Sequence, residues 1–335
     1  MQLLGSFLGA DTLQEVEAPS LERHGCLRGV QPVDTGTSRF DIEVPGIELS
    51  LPATSIVGPT GGPRLLVTAG VHGGEYAPIE AARRLGEELD PGELKGSVTI
   101  VHLVSPASFF ARRQYVNPQD GKNPNRYFPG DATGTATQRI TRRIMVLAQD
   151  HDAWIDLHGG DIHEALVPFT LVSSAGQPET CRRALDLAQA FGLPRLVTTD
   201  VLGGSSYVAA TQAGIPAILP EAGGLGQLDP EAALQLLDGL HRALLSLGML
   251  AGPPLEPKEI RHFNQFVWNR AESSGLWYPK KTAGQSTEAG EVLGTITDPY
   301  GDLLQEVKAS ESGEILFSVR SLAIELGDPL LAVAF

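Results

Sequence analysis

The sequence predicts an α/β fold, a mixed sheet flanked by helices with a small all-β domain behind it, on three observations. Between residues 63 and 250, short apolar runs of buried-strand type alternate with stretches of helical period. Such alternation calls for an open, parallel or mixed sheet covered by helices on both faces. The segment AGPPLEPKE at 251–259 then reads as a linker. Beyond it helical periodicity disappears, and strand-like runs separated by Gly, Pro and Asp turns take over.

Taken in order, residues 22–63 alternate apolar and polar residues between Gly and Pro breaks, as in SRFDIEVPGIELSLPA. They read as short antiparallel strands leading into the catalytic part rather than as a site. Strands are expected at 64–69, 97–105, 153–157, 166–173, 195–199 and 215–220. Helices are expected near 78–89, 137–149, 179–191, 206–213 and 230–250, with Pro78 at a first helical position and Gly192 and Gly214 at helix ends. The resulting division is an N-terminal segment at 1–62, a catalytic domain at 63–250 and a C-terminal β domain at 258–335.

The chain of 335 residues carries 25 Lys and Arg against 40 Asp and Glu, a formal charge of -15. A surface that acidic repels a phosphate backbone, so nucleic acid is excluded as a partner, and an anionic substrate needs a local basic site. Cys26 and Cys181 stand far apart in no metal-like spacing, which excludes a disulfide framework and a cysteine zinc site and suits a reducing, cytoplasmic setting. The opening MQLLGSFLGADTLQEVE has no basic residue before its apolar stretch and reads as no signal peptide. No run approaches the ~18 apolar residues of a membrane helix, so no membrane partner is expected.

Four segments carry chemistry. LLVTAGVHGGEYAPIEAARRL sets His72 and Glu75 three apart, after a strand and before a helix, among glycines that allow a tight turn. AWIDLHGGDIHEA sets His158 just past the end of another strand. Two His and one Glu can hold one zinc per chain and leave a fourth position for a water whose pKa then approaches ~7, which is the mark of a catalytic site. IPAILPEAGGLG ends a strand at Glu221, placed to act as general base on that water. QYVNPQDGKNPNRYFPGD carries Asn125 and Arg126 in a loop stiffened by Pro124 and Pro129, an amide and a planar guanidinium suited to clamp a carboxylate. All four lie at carboxyl ends of expected strands, where open α/β sheets bind ligands. His102 alternates within an apolar strand and reads as a core or edge histidine. His163 and Glu164 are candidates to support the site, and Asp156, two residues before His158, is a candidate to orient it.

The H-x-x-E of GVHGGE, the N-R-x-F-P-G of NPNRYFPGD, the D-L-H-G of WIDLHGG and the P-E-A-G-G at Glu221 resemble, in order and spacing, the succinylglutamate desuccinylase/aspartoacylase family. That family is a branch of the zinc-carboxypeptidase-like fold, and the resemblance spans residues 40–335. The loop YVNPQDGKNPNR looks most like the bacterial N-acetyl-diaminobutyrate deacetylase-like subgroup. The resemblance implies a zinc-dependent deacylase that removes an acyl group from a small amino acid. Similar family members carry an arginine directly before the tyrosine of that loop, where it polarises the scissile carbonyl. This chain has Gln114 there, leaving Arg112 and Arg113 as candidates for the role. The C-terminal domain resembles a biotinyl/lipoyl-type barrel sandwich, but Lys280 and Lys281 lack the flanks of a modified lysine, so a lid or a homo-oligomer contact is expected of it.

The expected function is thus hydrolysis of an N-acyl amino acid or similar small carboxylate-bearing amide. A zinc carboxypeptidase acting on short peptides is the nearest rival, because the same clamp reads a peptide C-terminus. A zinc-binding protein without catalysis would require Glu221 to face away from the metal.

Overall fold

A computed structural model of the chain describes residues 35–199 and 203–335. The expectations for Cys26 and for residues 1–34 lie outside the described residues. Strands β1 (Gly36–Glu43), β2 (Ser50–Val57) and β3 (Thr60–Ala69) lead to helix α1 (Tyr76–Glu88), then β4 (Lys95–Val101), α2 (Pro106–Ala111) and α3 (Ala136–Ala148). Next come β5 (Ala153–Leu157), β6 (Glu164–Leu166), β7 (Phe169–Ser173), α4 (Pro178–Phe191), β8 (Arg195–Thr199), α5 (Ser206–Gln212), β9 (Ala217–Glu221) and α6 (Pro230–Ser246). The remainder is all strand: β10 (Arg261–Phe263), β11 (Phe266–Arg270), β12 (Gly275–Pro279), β13 (Ser286–Thr287), β14 (Val292–Thr297), β15 (Leu303–Lys308), β16 (Gly313–Val319), β17 (Ala323–Ile324) and β18 (Pro329–Ala334).

Nine strands form one mixed sheet in the order β1-β2-β4-β3-β5-β9-β7-β8-β10. The centre, β4-β3-β5-β9, is parallel, while β1, β2 and β7 introduce antiparallel pairs. Side chains alternate between faces along each strand, and this alternation positions the site. Leu65, Val67, Ala69, Ala153, Ile155, Leu157 and Ile218 join a core with Leu85 of α1, Phe191 of α4 and Leu236 and Leu240 of α6. The intervening residues Thr68, Trp154 and Asp156 face the other way, where the Ser206 hydroxyl of α5 reaches Asp156. His158 continues the Trp154–Asp156 series, and Glu221 lies two residues beyond Leu219 on β9.

Local chemistry sets the helix ends. Asp229 caps α6, its carboxylate accepting from the Glu231 and Ala232 N–H groups at 3.0 and 3.1 Å. Gly192, at φ 82°, closes α4 in the left-handed conformation. Several expected boundaries shift. The helix expected at Pro78 begins at Tyr76, because Glu75 occupies the N-cap. The strand expected through 105 ends at Val101, and Pro106 then starts the short α2. The strand expected at 166–173 is two strands, since Pro168 has no N–H and the chain there crosses from one sheet to another.

The C-terminal strands build two packed sheets, β11-β18-β16-β13 and β15-β14-β12-β17. Trp277 fills their interior, donating from Nε1 to the Val319 carbonyl at 3.1 Å. Gly294 must be glycine because a Cβ there would lie 2.3 Å from the Trp277 ring. The two regions exchange strands: β10 pairs with β8 at the edge of the large sheet, and β6 pairs with β16 of the C-terminal sheet. Cutting the chain after Glu256 removes both pairings and uncovers Phe169, which is 8 % exposed in the intact fold. Size-exclusion chromatography of such a truncate should show aggregation or altered assembly, and a monodisperse fragment with native selectivity would mark the domain as an independent appendage.

Candidate metal centre and active site

His72 and Glu75 occupy the turn between β3 and α1. That turn is tight because Gly74 leaves room for Asp161, whose Oδ1 would lie 1.9 Å from a Cβ at position 74. His158 follows β5, and a parallel bridge sets it beside Glu221 at the end of β9. Neighbouring parallel strands thus deliver two residues that are 63 positions apart in sequence, 221 minus 158. His72, Glu75 and His158 are all buried, and one donor atom from each lies within 4.8 Å of the others.

The hydrogen bonds decide which atoms face inward. His158 Nε2 donates to Asp156 Oδ2 at 3.1 Å, and His72 Nε2 donates to Asn123 Oδ1 at 3.0 Å. Asp156 is held in turn by the hydroxyls of Thr68 and Ser206. With both Nε2 atoms engaged as donors, the rings turn their Nδ1 atoms toward Glu75, at 2.6 Å from His72 and 3.1 Å from His158. Such contacts are bridged either by a proton on each Nδ1 or by one cation held by all three donors, and two His with one Glu are a donor set that fits a divalent metal. Burial disfavours the His158 imidazolium, yet Glu75 and Asp156 outweigh it and hold its pKa well above the usual histidine range. Burial likewise works to raise Glu75, but His158 and His72 pull it below the usual carboxylate range.

Glu221 lines the same cavity, which has a volume of about 390 Å³. Its Oε2 is buried with no hydrogen-bond partner among the described residues. Burial pushes its carboxyl well up, Glu75 and Asp156 add to that, and His158 and Arg126 oppose it. A carboxyl with one unpartnered oxygen in this cavity, and with its proton affinity raised, is suited to exchange a proton with a group bound beside it.

Asn125 and Arg126 also line the cavity. The Asn125 Oδ1 accepts the Ser206 N–H at 2.9 Å, which ties the loop to the start of α5 and leaves the amide NH₂ for a ligand. Arg126 donates to the Asn125 carbonyl at 2.6 Å, and burial of its guanidinium lowers its pKa. The structure does not bring Arg112 or Arg113 to the cavity. Arg112 takes a left-handed conformation, φ 50°, at the end of α2, and both side chains are exposed. The loop sends in Tyr115 instead. Its φ of 57° is fixed by its N–H donating to Asp161 Oδ2 at 2.7 Å, and its ring meets the edge of His72 at 6.4 Å.

Of the supporting candidates, Asp156 orients His158 and Glu164 lines the cavity, its Oε2 accepting the Asp161 N–H at 2.7 Å. His163 is exposed, outside the cavity. His102 lies in a separate surface cleft, bonded to Thr54 at 2.8 Å. Sequence reasoning missed Asn123, which sits in the same loop as Asn125, and it expected a lid of the C-terminal domain without naming the residues that line the cavity. Phe266, Trp268, Arg270, Phe317 and Asp328 come from the strands and loops of that domain, and all line the cavity.

A mixed sheet that delivers a His–Glu–His cluster and an unpaired carboxylate to one cavity, backed by a β domain, places this chain in the zinc-carboxypeptidase-like fold class. The chain belongs to the succinylglutamate desuccinylase/aspartoacylase family, whose catalytic-domain model matches residues 61–247. It is 28% identical over 282 residues to the N-alpha-acetyl-L-2,4-diaminobutyric acid deacetylase of Halomonas elongata, covering 82% of each chain. It is 31% identical over 107 residues to the succinylglutamate desuccinylase of Yersinia pestis, 30% of this chain and 32% of that one. Among solved structures, the product-bound ectoine utilization protein EutE (DoeB) of Ruegeria pomeroyi superposes with a TM-score of 0.82 at 23% identity, over 91% of this chain and 97% of that one. A Rhodobacter sphaeroides succinylglutamate desuccinylase/aspartoacylase superposes at 0.80 and 24% identity, over 90% and 95%. The two curated relatives are amide hydrolases, and the family supports hydrolase activity here. No helix among the described residues is long and apolar enough to cross a membrane.

Proposed function

We propose that the protein is a zinc-dependent deacylase that hydrolyses the amide bond of an N-acyl amino acid. The carrying observation is the buried, partnerless Glu221 Oε2 in one cavity with the His72–Glu75–His158 cluster and the Arg126 guanidinium. His72, Glu75 and His158 are the residues that hold the zinc. Bound there, zinc supplies a water of lowered pKa and a charge that polarises the scissile carbonyl. Glu221 accepts the proton of the attacking water and returns it to the leaving nitrogen, which departs as a neutral amine. Asp156 and Asn123 hold the two imidazoles in the tautomers that face Glu75. Arg126 and the Asn125 amide bind the substrate carboxylate and set the amide against Glu221. The wall supplied by β11, β16 and β18 narrows the cavity, which favours a small amide over a peptide chain. A cytoplasmic location accords with the acidic, cysteine-poor composition.

Screening metal-assayed protein against acetyl-, succinyl- and formyl-amino acids beside short peptides tests this reading. Release of free amino acid from the first group is expected, and cleavage confined to peptides would replace it with the carboxypeptidase. Arg126→Lys tests the clamp. A lysine keeps the charge but loses the planar fork, so KM for a carboxylate-bearing substrate should rise, by a contact worth about 1.5–3 kcal/mol, with zinc content unchanged. Amidating the substrate carboxylate should penalise the native enzyme far more than the variant. Equal penalties would show that Arg126 does not read the carboxylate.

A further inference from the structure

The wall that the C-terminal strands give the cavity holds the charged Arg270 and Asp328 and, beside them, an apolar row whose residues lie in register. Leu166 of β6 pairs with Phe317 of β16, Phe317 with Ala332 of β18, and Ala332 with Trp268 of β11. Directly paired residues point to the same face of a sheet, so these four form one row across four strands, and all four line the cavity. Trp268 and Phe317 meet edge to face at 5.0 Å across the small Ala332, so with Leu166 they present one continuous apolar face to the cavity. On the catalytic side Phe169 pairs with Glu221, so the apolar surface begins beside the reacting centre.

A substrate that is polar throughout leaves this surface against water, and a cavity of about 390 Å³ has room for more than an acetyl group on glycine. Leu166 and Trp268 are only half-buried, so their surface is open to a ligand rather than consumed by the core. We propose, resting on the deacylase reading above, that the substrate is an N-acyl amino acid bearing a bulky apolar group. That group, a branched aliphatic or aromatic one, lies against the apolar face formed by Leu166, Phe317, Ala332 and Trp268. It is carried by either the amino-acid side chain or the acyl group, and the row of residues recognises the same chemistry in both.

The test uses the full-length, zinc-loaded protein and two substrate series. One varies the side chain, from N-acetylglycine through N-acetylleucine to N-acetylphenylalanine. The other varies the acyl group, from N-acetylalanine to N-benzoylalanine, and N-alpha-acetyl-2,4-diaminobutyrate is the polar control. In one series kcat/KM should rise about 10–200-fold from smallest to bulkiest, and that series identifies which side of the amide meets the apolar face. Trp268→Ala should flatten that rise. Leu166→Ala, on a different strand, should do the same, so a folding defect in one variant does not decide the matter. Flat profiles in both series, or a preference for the diaminobutyrate derivative, would overturn the proposal. If no amide is hydrolysed, the deacylase reading fails on its own. Calorimetry with N-acetylphenylalanine and N-benzoylalanine against N-acetylglycine then judges the apolar face: tighter binding of either apolar ligand supports its role, and equal or absent binding of both overturns it.

Discussion

Purified His72→Ala and His158→Ala proteins are expected to carry no zinc and to show no hydrolytic activity. Each substitution removes one of three buried donors whose atoms lie within 4.8 Å of one another. Only two then remain, fewer than the three protein ligands of a catalytic zinc site. The imidazoles are also pre-oriented, His158 by Asp156 and His72 by Asn123, so a water filling the vacated volume does not restore a directed lone pair. Asp156→Asn should act more mildly, lowering zinc affinity by ~10–100-fold while the ligands themselves stay in place. Elemental analysis after dialysis against a graded chelator reads both effects. Full zinc occupancy in the His72→Ala/His158→Ala double variant would remove these residues from the metal site.

Glu221→Gln should lower kcat by ~10²–10⁴ at unchanged zinc content. The amide matches the carboxylate in shape, so β9 and its bridge to His158 should persist, but it cannot accept a proton from water. The substitution also replaces a buried acceptor that has no partner among the described residues, so loss of a structural hydrogen bond does not explain the expected fall. Zinc content and circular dichroism measured beside kcat separate lost chemistry from lost structure. Near-native turnover would mean that another group moves the proton.

The two outcomes draw on features that differ in how far the sequence displays them. His72 and Glu75 are three residues apart, and the geometry that joins them is a single glycine-rich turn, so local spacing suffices to pair them. His158 and Glu221 are far apart, yet each stands at the carboxyl end of a buried strand. Parallel neighbours bring such ends together whatever the intervening chain. Asn125 and Arg126 were visible as a stiff polar loop, though not the division of labour within it. Asn125 spends its oxygen on α5, and Asn123, not singled out, holds His72.

Arg112 and Arg113 illustrate the opposite case. Their proximity to the loop tyrosine along the chain suggested a shared site, but two left-handed residues, Arg112 and Tyr115, turn the backbone so that the tyrosine enters and the arginines face solvent. Side-chain direction at such a kink depends on one hydrogen bond to Asp161, a residue 46 positions away. Nothing in the periodicity of the loop encodes it.

By itself the sequence determined the class of fold, most of the order of its elements and the short spacing of His72 and Glu75, because strand alternation, glycine turns and capping act over a few residues. The tertiary structure alone decided what encloses the metal cluster. Pro168 splits one apolar run so that Leu166 joins the C-terminal sheet while Phe169 stays in the large one. That crossing sets Trp268 and Phe317 against the cavity that also holds Glu221. Which side chains share a cavity is a property of strand pairing between distant segments. Pairing is selected by burial summed over the whole molecule, so it cannot be read from any one stretch of chain.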